Sequence, residues 1–499
     1  MLVTGSIAYN MVLEIANKIS DDKWRIHVLR LPIPVAAMMT ADYLLRELPR
    51  YMDEIAGADL IIVPGQAKGD MSLVGRELGV KVVKGTLYAY DIPLMLEAVK
   101  KGMELSPLEP ADNIIISEKR RLDESLLESL KENARKDYYF KIGDIPVSKH
   151  YPIIFAEVYF EGDVNKTIMM AEKFAVVADV LIFGFPINTP SGTVLDVLNR
   201  AYSVLRKPVG IDTPNIEVAC DALSVGLDVY LSFTSKSLRS ICGWDKETAV
   251  VVVPESAESS FRDLREAVKL AAESGIEKII IDPVLSPPML GLTNSISRYI
   301  EAKRVFPDKP LLMGVGNVTE LIDADSPGVN ALLASIGVEL GVEIYLTTEH
   351  SPKTRGAVSE LRRALDMSLL ARERKTPPKD LSINLLMLKD KKKKAPPPPL
   401  HIDVFASKTG ESKVDPRGFF KIHVDHDKGL IIVEHYNLGS SSPDIVIAGK
   451  EPYKILYEIR ERGLVSEETH YWYLAIELEK AQIALKTGKE YIQDRDLFE

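Results

Sequence analysis

The sequence predicts an α/β protein: a central (β/α)8 TIM barrel flanked by an N-terminal doubly wound, Rossmann-like α/β domain and a small C-terminal α+β domain. Three observations carry this. Between Tyr151 and Met367 eight β-branched, apolar runs recur, IIFAEVYF, ADVLIFGF, KPVGID, LDVYLSF, AVVVVPE, EKIIIDP, KPLLMGVG and VEIYLTT, each followed by a helical pattern or a loop. Eight strand-helix units in roughly 220 residues is the count and size of such a barrel; an open sheet would need fewer strands or more length. The chain has 499 residues, more than one compact module holds. A strong boundary, TPPKDLSINLLMLKDKKKKAPPPPL, sets off the last hundred or so residues: four lysines repel one another and four prolines favour extended, unpaired backbone.

These signals divide the chain into residues 1–148, a barrel over 149–373, a Lys/Pro-rich linker over 374–400 and a last domain over 401–499. In the first part LVTG, RIHVLRLPI, ADLIIVPG and VKVVKG alternate with amphipathic stretches, the pattern of a parallel sheet with covering helices. Gly5, Gly65 and Gly85 fall at strand tails, where such sheets often bind ligands. The run PGQAKGD, Pro64 to Asp70, admits an anion cradle or an ordinary turn, since it is not GxGxxG.

Composition narrows the function. Hydrophobic residues are 46% and charged residues 27%, with mean hydropathy near zero, which excludes a largely disordered chain. A net charge of -10 argues against nonspecific nucleic-acid binding, which rests on basic patches. No apolar run is long enough for a membrane span and the N-terminus lacks a signal-peptide pattern, so a cytoplasmic location is expected. Cys220 and Cys242 alone provide neither a disulfide framework nor a Cys-rich metal site. Scarce Gln beside abundant Lys and Glu is a thermophile-like bias. Lys391 to Lys394 read as solvated spacer before a nuclear-localisation signal.

In a (β/α)8 barrel the active site lies at the carboxyl ends of the strands. The residues there are Glu157 on the first strand, Asn188 after the second, Asp212, Ser232 with Thr234, Glu255, Asp282, Asn317, and Glu349 with His350. Acids and amides dominate and strong cations are nearly absent. Such a mouth suits a neutral or weakly basic ligand rich in N–H donors and not a polyphosphate. An aminopyrimidinone fits, because its ring N–H and exocyclic NH2 form a donor pair that one carboxylate accepts bidentately. The acids are dispersed over many strands, so no metal site is expected.

The segments IDTPNIEVACDALSVGLDVYLSF, Ile211 to Phe233, and IIIDPVLSPP, Ile279 to Pro288, resemble strands three, four and six of the dihydropteroate synthase and pterin-dependent methyltransferase superfamily. With LPIPVAAMMT, VDPRGFF and HYWYLAIELEKAQIALKTGKEYIQD in the flanking parts, the whole chain is similar to the archaeal dihydropteroate synthase-related proteins. That resemblance implies pterin-binding roles for Asp212, Ser232, Asp282, Asn317 and Asn188 and a catalytic role for Asn317; Glu157, a carboxylate within a strand, is the other catalytic candidate. Ser232 stands where the family usually has Asn. The seventh strand, MGVGNVTELIDADS, has Asn317 where synthases carry a Ser-Arg-Lys run, and NTPSG after strand two lacks the synthase Arg; both lean toward the methyltransferase branch.

The implied activity is methyl transfer from a tetrahydropterin of tetrahydromethanopterin or folate type, in one-carbon metabolism. The acceptor would be a corrinoid on a partner protein, as no DxHxxG-type motif occurs in this chain. A synthase-like condensation and a non-catalytic pterin-binding scaffold stay open as alternatives, as does a homodimer formed through the barrel. Asp212, Asp282 and Asn317 also have a plain alternative, capping the helix that follows each strand. Glu157, inside a strand, calls for either a function or a buried ion pair.

In the last domain FFKIHVDHDKGLIIVEHY reads as a hairpin with its turn at HDKG, and SEETHYWYLAIELEKAQIALKTG as a helix ended by Gly488. His423, His426 and His435 point to different sides of such strands, which disfavours a shared zinc ion. His470, Tyr471, Trp472 and Tyr473 read as helix packing more than as a ligand platform.

Overall fold

The computed structural model describes residues 1–22, 24–240, 246–256, 261–389, 406 and 414–498. Lys391 to Lys394, the four prolines after them and Cys242 lie outside the described residues. The chain forms two compact units, 1–138 with 148–151 and 363–384, and 139–147 with 152–362 and 385–499. No helix among the described residues is long and apolar enough to cross a membrane.

The first unit holds four parallel strands, β1 (Leu2–Thr4), β2 (Val28–Arg30), β3 (Leu60–Val63) and β4 (Lys81–Lys84), ordered β2-β1-β3-β4. The order reverses direction between β1 and β3, so a crevice opens at their carboxyl ends. Leu31, Leu44, Ile61 and Val74 pack on one face, and Val12, Ile62, Val83 and Met95 on the other. The four predicted strands are present. The glycines at their tails serve close packing: a Cβ on Gly5 or Gly65 would strike the carbonyl oxygen of Ile33 or Gly85.

In the second unit a short hairpin, β5 (Phe140–Ile142) and β6 (Ile145–Val147), precedes eight parallel strands. These are β7 (Ile153–Tyr159), β8 (Val180–Gly184), β9 (Val209–Asp212), β10 (Val229–Phe233), β11 (Ala249–Val252), β12 (Ile279–Ile281), β13 (Leu312–Gly314) and β14 (Ile344–Thr348). Their order, β12-β11-β10-β9-β8-β7-β14-β13, closes through a bridge between Ile281 and Leu311. All eight predicted strands occur.

The barrel interior is filled by alternate residues, Ile153 and Phe155, Val180 and Ile182, Val229 and Leu231, with Ile280, Leu312 and Ile344. Ile142 and Val147 of the hairpin join this cluster at the amino-terminal end. Acids at that end tie strands together: Asp179 accepts from the Ile154 amide at 2.8 Å, Asp228 from Val209 at 2.9 Å and Glu343 from Leu311 at 2.9 Å. Arg362 pairs with Asp179, and Lys303 with Glu343. These carboxylates therefore have structural work at the end of the barrel opposite the candidate site.

The last domain is an antiparallel sheet of β15 (Phe419–Asp425), β16 (Leu430–Tyr436) and β17 (Ile445–Gly449), with helices Pro452–Glu461 and Glu468–Thr487 on it. Gly488 ends the second helix at φ +77°, a left-handed geometry suited to glycine.

Candidate functional site

Strand alternation places a distinct layer at the carboxyl end of the barrel. Counting outward from Phe155, Ile182 and Ile280, the next inward positions are Glu157, Gly184 and Asp282; Asp212 and Gly314 hold the same place on β9 and β13. The layer beneath is apolar, and this one is acids separated by glycines. A Cβ on Gly184 would lie 2.4 Å from Glu157 Oε1, so glycine there is what gives the carboxylate room. Gly184 is also the register partner of Asp212.

The three acids influence one another. Burial pushes Glu157 up to about 7, with the nearby Asp212 adding to the rise. Asp212 is raised by burial, opposed by a hydrogen bond from the Ser232 hydroxyl. Asp282, 8% exposed, is pushed up to about 6 by burial, against two hydrogen bonds and Arg298, with Asp212 again on the raising side. Among the described residues none of the three has an ion-pair partner, so the buried ion pair expected as one option for Glu157 is not formed. Carboxylates held this way want protons or N–H donors.

Asp212, Asp282 and Asn317 do not act as helix caps. Asn215 caps the helix Ile216–Leu223 that comes after Asp212. Asp282 accepts the Val284 amide at 2.8 Å, while the next helix, Leu292–Val305, begins after Gly291. Asn317 lies inside the short helix Gly316–Thr319, preceded by Val315. Thr234 and Glu255 do have local structural roles: Thr234 caps Ser235–Leu238, and Glu255 accepts from Ser235 Oγ at 2.6 Å.

Strain gathers around the same acids. Ser232 has φ +66° at a register shift between β10 and β11, where the bulge turns the strand end. Val284 has φ +63°, an outlier for a β-branched residue. The segment after β12 is held from the next helix: Arg298 donates to the carbonyls of Pro283 and Val284 at 3.0 and 2.7 Å and to Ser286 Oγ at 3.2 Å. Asn317 Nδ2 donates to Leu285 O at 3.0 Å, joining the same segment. Buried Tyr299 donates to Asp282 Oδ1 at 2.9 Å. Strain kept in place by surrounding bonds is typical of functional sites.

Arg298 and Tyr299 carry no signal in the sequence, because residues on a helix 16 and 17 positions after a strand-end acid form no local pattern. Tyr230 is a further residue that sequence reasoning misses; its hydroxyl donates to Thr213 O at 3.0 Å, and burial, then Asp212, raises its pKa. The structure brings Glu157, Asp212, Ser232 and Asp282 together and ties Asn317 to the Asp282 segment. Asn188 stands apart, exposed in the turn after β8. Glu349 and His350 line a small cavity of about 110 Å3 with Glu157 and Tyr159, and Glu349 also pairs with Lys173 at 3.4 Å.

The other candidates resolve into packing. The PGQAKGD loop spends the amides of Gly65, Ala67 and Lys68 on the carbonyls of Thr86, Pro64 and Met39, and Asp70 caps the next helix, the bonds of an ordinary turn. In the last domain His423 lies 3.5 Å from Glu434, His426 bonds the Lys489 carbonyl and His435 bonds Asp444 at 2.7 Å. His470 bonds Asp415, which is held well below the usual range by several hydrogen bonds despite burial. No metal-holding group of His, Cys, Asp or Glu occurs among the described residues.

Residues 414–494 match the family model PterinBD-DUF4346, and residues 1–87 match a family of unknown function, DUF6513. In fold the chain is similar to Yersinia pestis DHPS with a pterine-sulfa conjugate, at 14% identity and TM-score 0.38 over 46% of this chain and 96% of that one. It is likewise similar to dihydropteroate synthase from Xanthomonas albilineans in complex with 7,8-dihydropteroate, at 18% identity and TM-score 0.34 over 42% and 92%. In sequence it is 32% identical to "Uncharacterized protein MJ0107" of Methanocaldococcus jannaschii, covering 100% of this chain and 98% of that protein. With similarity along its full length, the chain belongs to the family of that protein.

Proposed function

We propose that the barrel mouth binds a reduced pterin and that the protein transfers a methyl group from it, in tetrahydropterin one-carbon metabolism of the tetrahydromethanopterin or folate type. The observation that carries this is the layer of Glu157, Asp212 and Asp282, acids that form no ion pairs among the described residues, above an apolar floor. A pterin ring is flat, and its aminopyrimidinone edge is a row of N–H donors that such carboxylates accept. Gly184 and Gly314 leave the room that the side chains of Glu157 and Asn317 take up at the mouth.

A methyl group on N5 leaves poorly because the departing nitrogen would carry negative charge; a proton at N5 removes that cost. Asp282 and Asp212 hold the ring edge. Glu157, pushed up to about 7, keeps a proton available near neutral pH and is the proposed source. Asn317 has Nδ2 committed to Leu285 O, so Oδ1 is the atom it offers to an N5–H group. The acceptor's electron pair forms the new bond to the methyl carbon, and the pair of the broken C–N bond returns to N5. A corrinoid on a partner protein is the proposed acceptor.

A synthase-like condensation needs cations for a leaving pyrophosphate. Arg298 is turned to backbone carbonyls, Lys166 pairs with Glu161 and Lys236 with Glu255, which favours methyl transfer. The test is methyl loss from a methyl-tetrahydropterin with free cob(I)alamin as acceptor. Methyl-cobalamin formation that Asn317→Ala slows supports the proposal. Pyrophosphate release from a dihydropterin pyrophosphate with an arylamine, and no methyl transfer, overturns it.

A further inference from the structure

A larger cavity lies in the first unit, at the carboxyl ends of β1 and β3, where the strand order reverses. Its volume is about 300 Å3, enough for a small heteroaromatic ligand. The walls come from β1, β3, the start of helix Tyr9–Ile19, the segment after β4 and residues 374–377. Met11, Val35 and Tyr90 at its walls are exposed apolar side chains, at 51%, 43% and 44%. These flat or flexible surfaces suit a planar ring.

The polar features of the cavity favour an anion at one end. No carboxylate lines it among the described residues, whereas Arg374, Lys375, Thr376 and Gln66 do. Helix Tyr9–Ile19 begins there without a side-chain cap and without an acid in its first turn, leaving its positive end unanswered. Two residues that line the cavity each carry a buried polar atom without a hydrogen-bond partner among the described residues: Nε of Arg374, a residue 5% exposed, and Oγ1 of Thr376.

The wall is built in advance of any ligand. Arg374 donates to Asp91 and Asp123, and Lys119 pairs with Asp91 at 2.6 Å and Asp112 at 3.2 Å. Asp112 in turn accepts the Leu87 amide at 2.7 Å, Gln66 Nε2 donates to Leu87 O at 3.0 Å and Thr86 Oγ1 to Tyr88 O at 2.8 Å. This network fixes the segment after β4 and holds the Arg374 guanidinium in one orientation. A parallel sheet of order 2-1-3-4 places nucleotide ligands at this reversal, with phosphate at the first helix.

We propose that the cavity is a mononucleotide site, independent of the barrel reading: a planar base in the slot by Met11 and Tyr90, and a single phosphate at the start of helix Tyr9–Ile19. The loop between β1 and this helix, Gly5-Ser6-Ile7-Ala8, lacks the glycine pattern that cradles a pyrophosphate, so one phosphate is the fit.

The test is calorimetric titration of the full chain with AMP and with FMN, each compared with its nucleoside, adenosine or riboflavin, and with inorganic phosphate alone. The proposal expects at least one mononucleotide to saturate, at least tenfold tighter than its nucleoside and than phosphate. Met11→Glu and, separately, Val35→Glu place a carboxylate at the rim on exposed positions and weaken binding at least tenfold, while Met11→Leu retains it. Saturation by AMP identifies an adenylate-type ligand and saturation by FMN a flavin-type one. Failure of both to saturate, a nucleoside binding as tightly as its nucleotide, or unchanged binding in the folded Glu variants overturns it.

Discussion

Replacing Asp282 by Asn separates the two roles a buried carboxylate can have. In the folded chain Asp282 is pushed from an ordinary 3.8 up to about 6. That rise corresponds to about 3 kcal/mol between its two protonation states. The unfolded chain gives up this proton near pH 4 and the folded one near pH 6, so between those values the folded state holds more protons. Stability is therefore fully present below pH 4, falls as pH rises, and carries the whole penalty above pH 6. Asn keeps an Oδ1 for the Val284 amide and the Tyr299 hydroxyl but never carries the charge.

Asp282→Asn is thus expected to be more stable than wild type at pH 7.5, by up to about 3 kcal/mol, and about equal at pH 4. Ligand binding moves the other way. Oδ1 is taken by Val284 and Tyr299, so Oδ2 is the atom left for the ligand; a charge-assisted hydrogen bond contributes about 1.5–3 kcal/mol, so losing it costs roughly 10- to 150-fold in Kd. Urea unfolding at the two pH values and calorimetry with a tetrahydropterin check both. Unchanged affinity, or a stability difference that does not vary with pH, would refute the assignment of Asp282 as a ligand-binding acid.

Four further outcomes concern the same site. Glu157→Gln raises stability above pH 7, since the penalty on the acid builds as pH rises from 4.5 and is complete above about 7, and slows methyl transfer about 100-fold or more with Kd within tenfold, read by single-turnover kinetics. Wild-type affinity for a tetrahydropterin falls as pH is lowered through about 6, where Asp282 takes up its proton; calorimetry in two buffers detects the coupled proton. Asn317→Ala lowers the transfer rate about 100-fold while leaving binding within tenfold, measured with a methyl-tetrahydropterin. Val284→Gly relieves the positive φ and gains about 1 kcal/mol in urea unfolding while weakening pterin binding, because the amide that orients Asp282 is less fixed.

Much of the fold is legible in the sequence because each barrel strand is a short, doubly buried apolar run, a signal that survives without neighbours. Asp212 and Asp282 are legible for the same reason: an acid at the end of such a run has a fixed place in a (β/α)8 barrel. Glu157 is visible as an anomaly within a strand, but its reason, the space left by Gly184 on the neighbouring strand, depends on pairing between strands. Arg298 and Tyr299 are hidden, since only the return of helix Leu292–Val305 past the β12 segment brings them to it. The left-handed geometry of Ser232 and Val284 is hidden too, as neither residue type signals a positive φ. By sequence the hairpin β5–β6 falls in the N-terminal domain, where its inward Ile142 and Val147 have no visible destination; they belong to the barrel core. Asn188 shows the converse: a strand-end position suggests a role, and the turn geometry leaves it exposed.

A structure of the full chain with a bound tetrahydropterin tests the central claim most directly. The expected result is a ring above Phe155 and Ile182, with its N–H groups about 2.7–3.2 Å from the carboxylates of Asp212 and Asp282. A ring bound elsewhere, such as on residues 414–494, with the barrel mouth empty would contradict it.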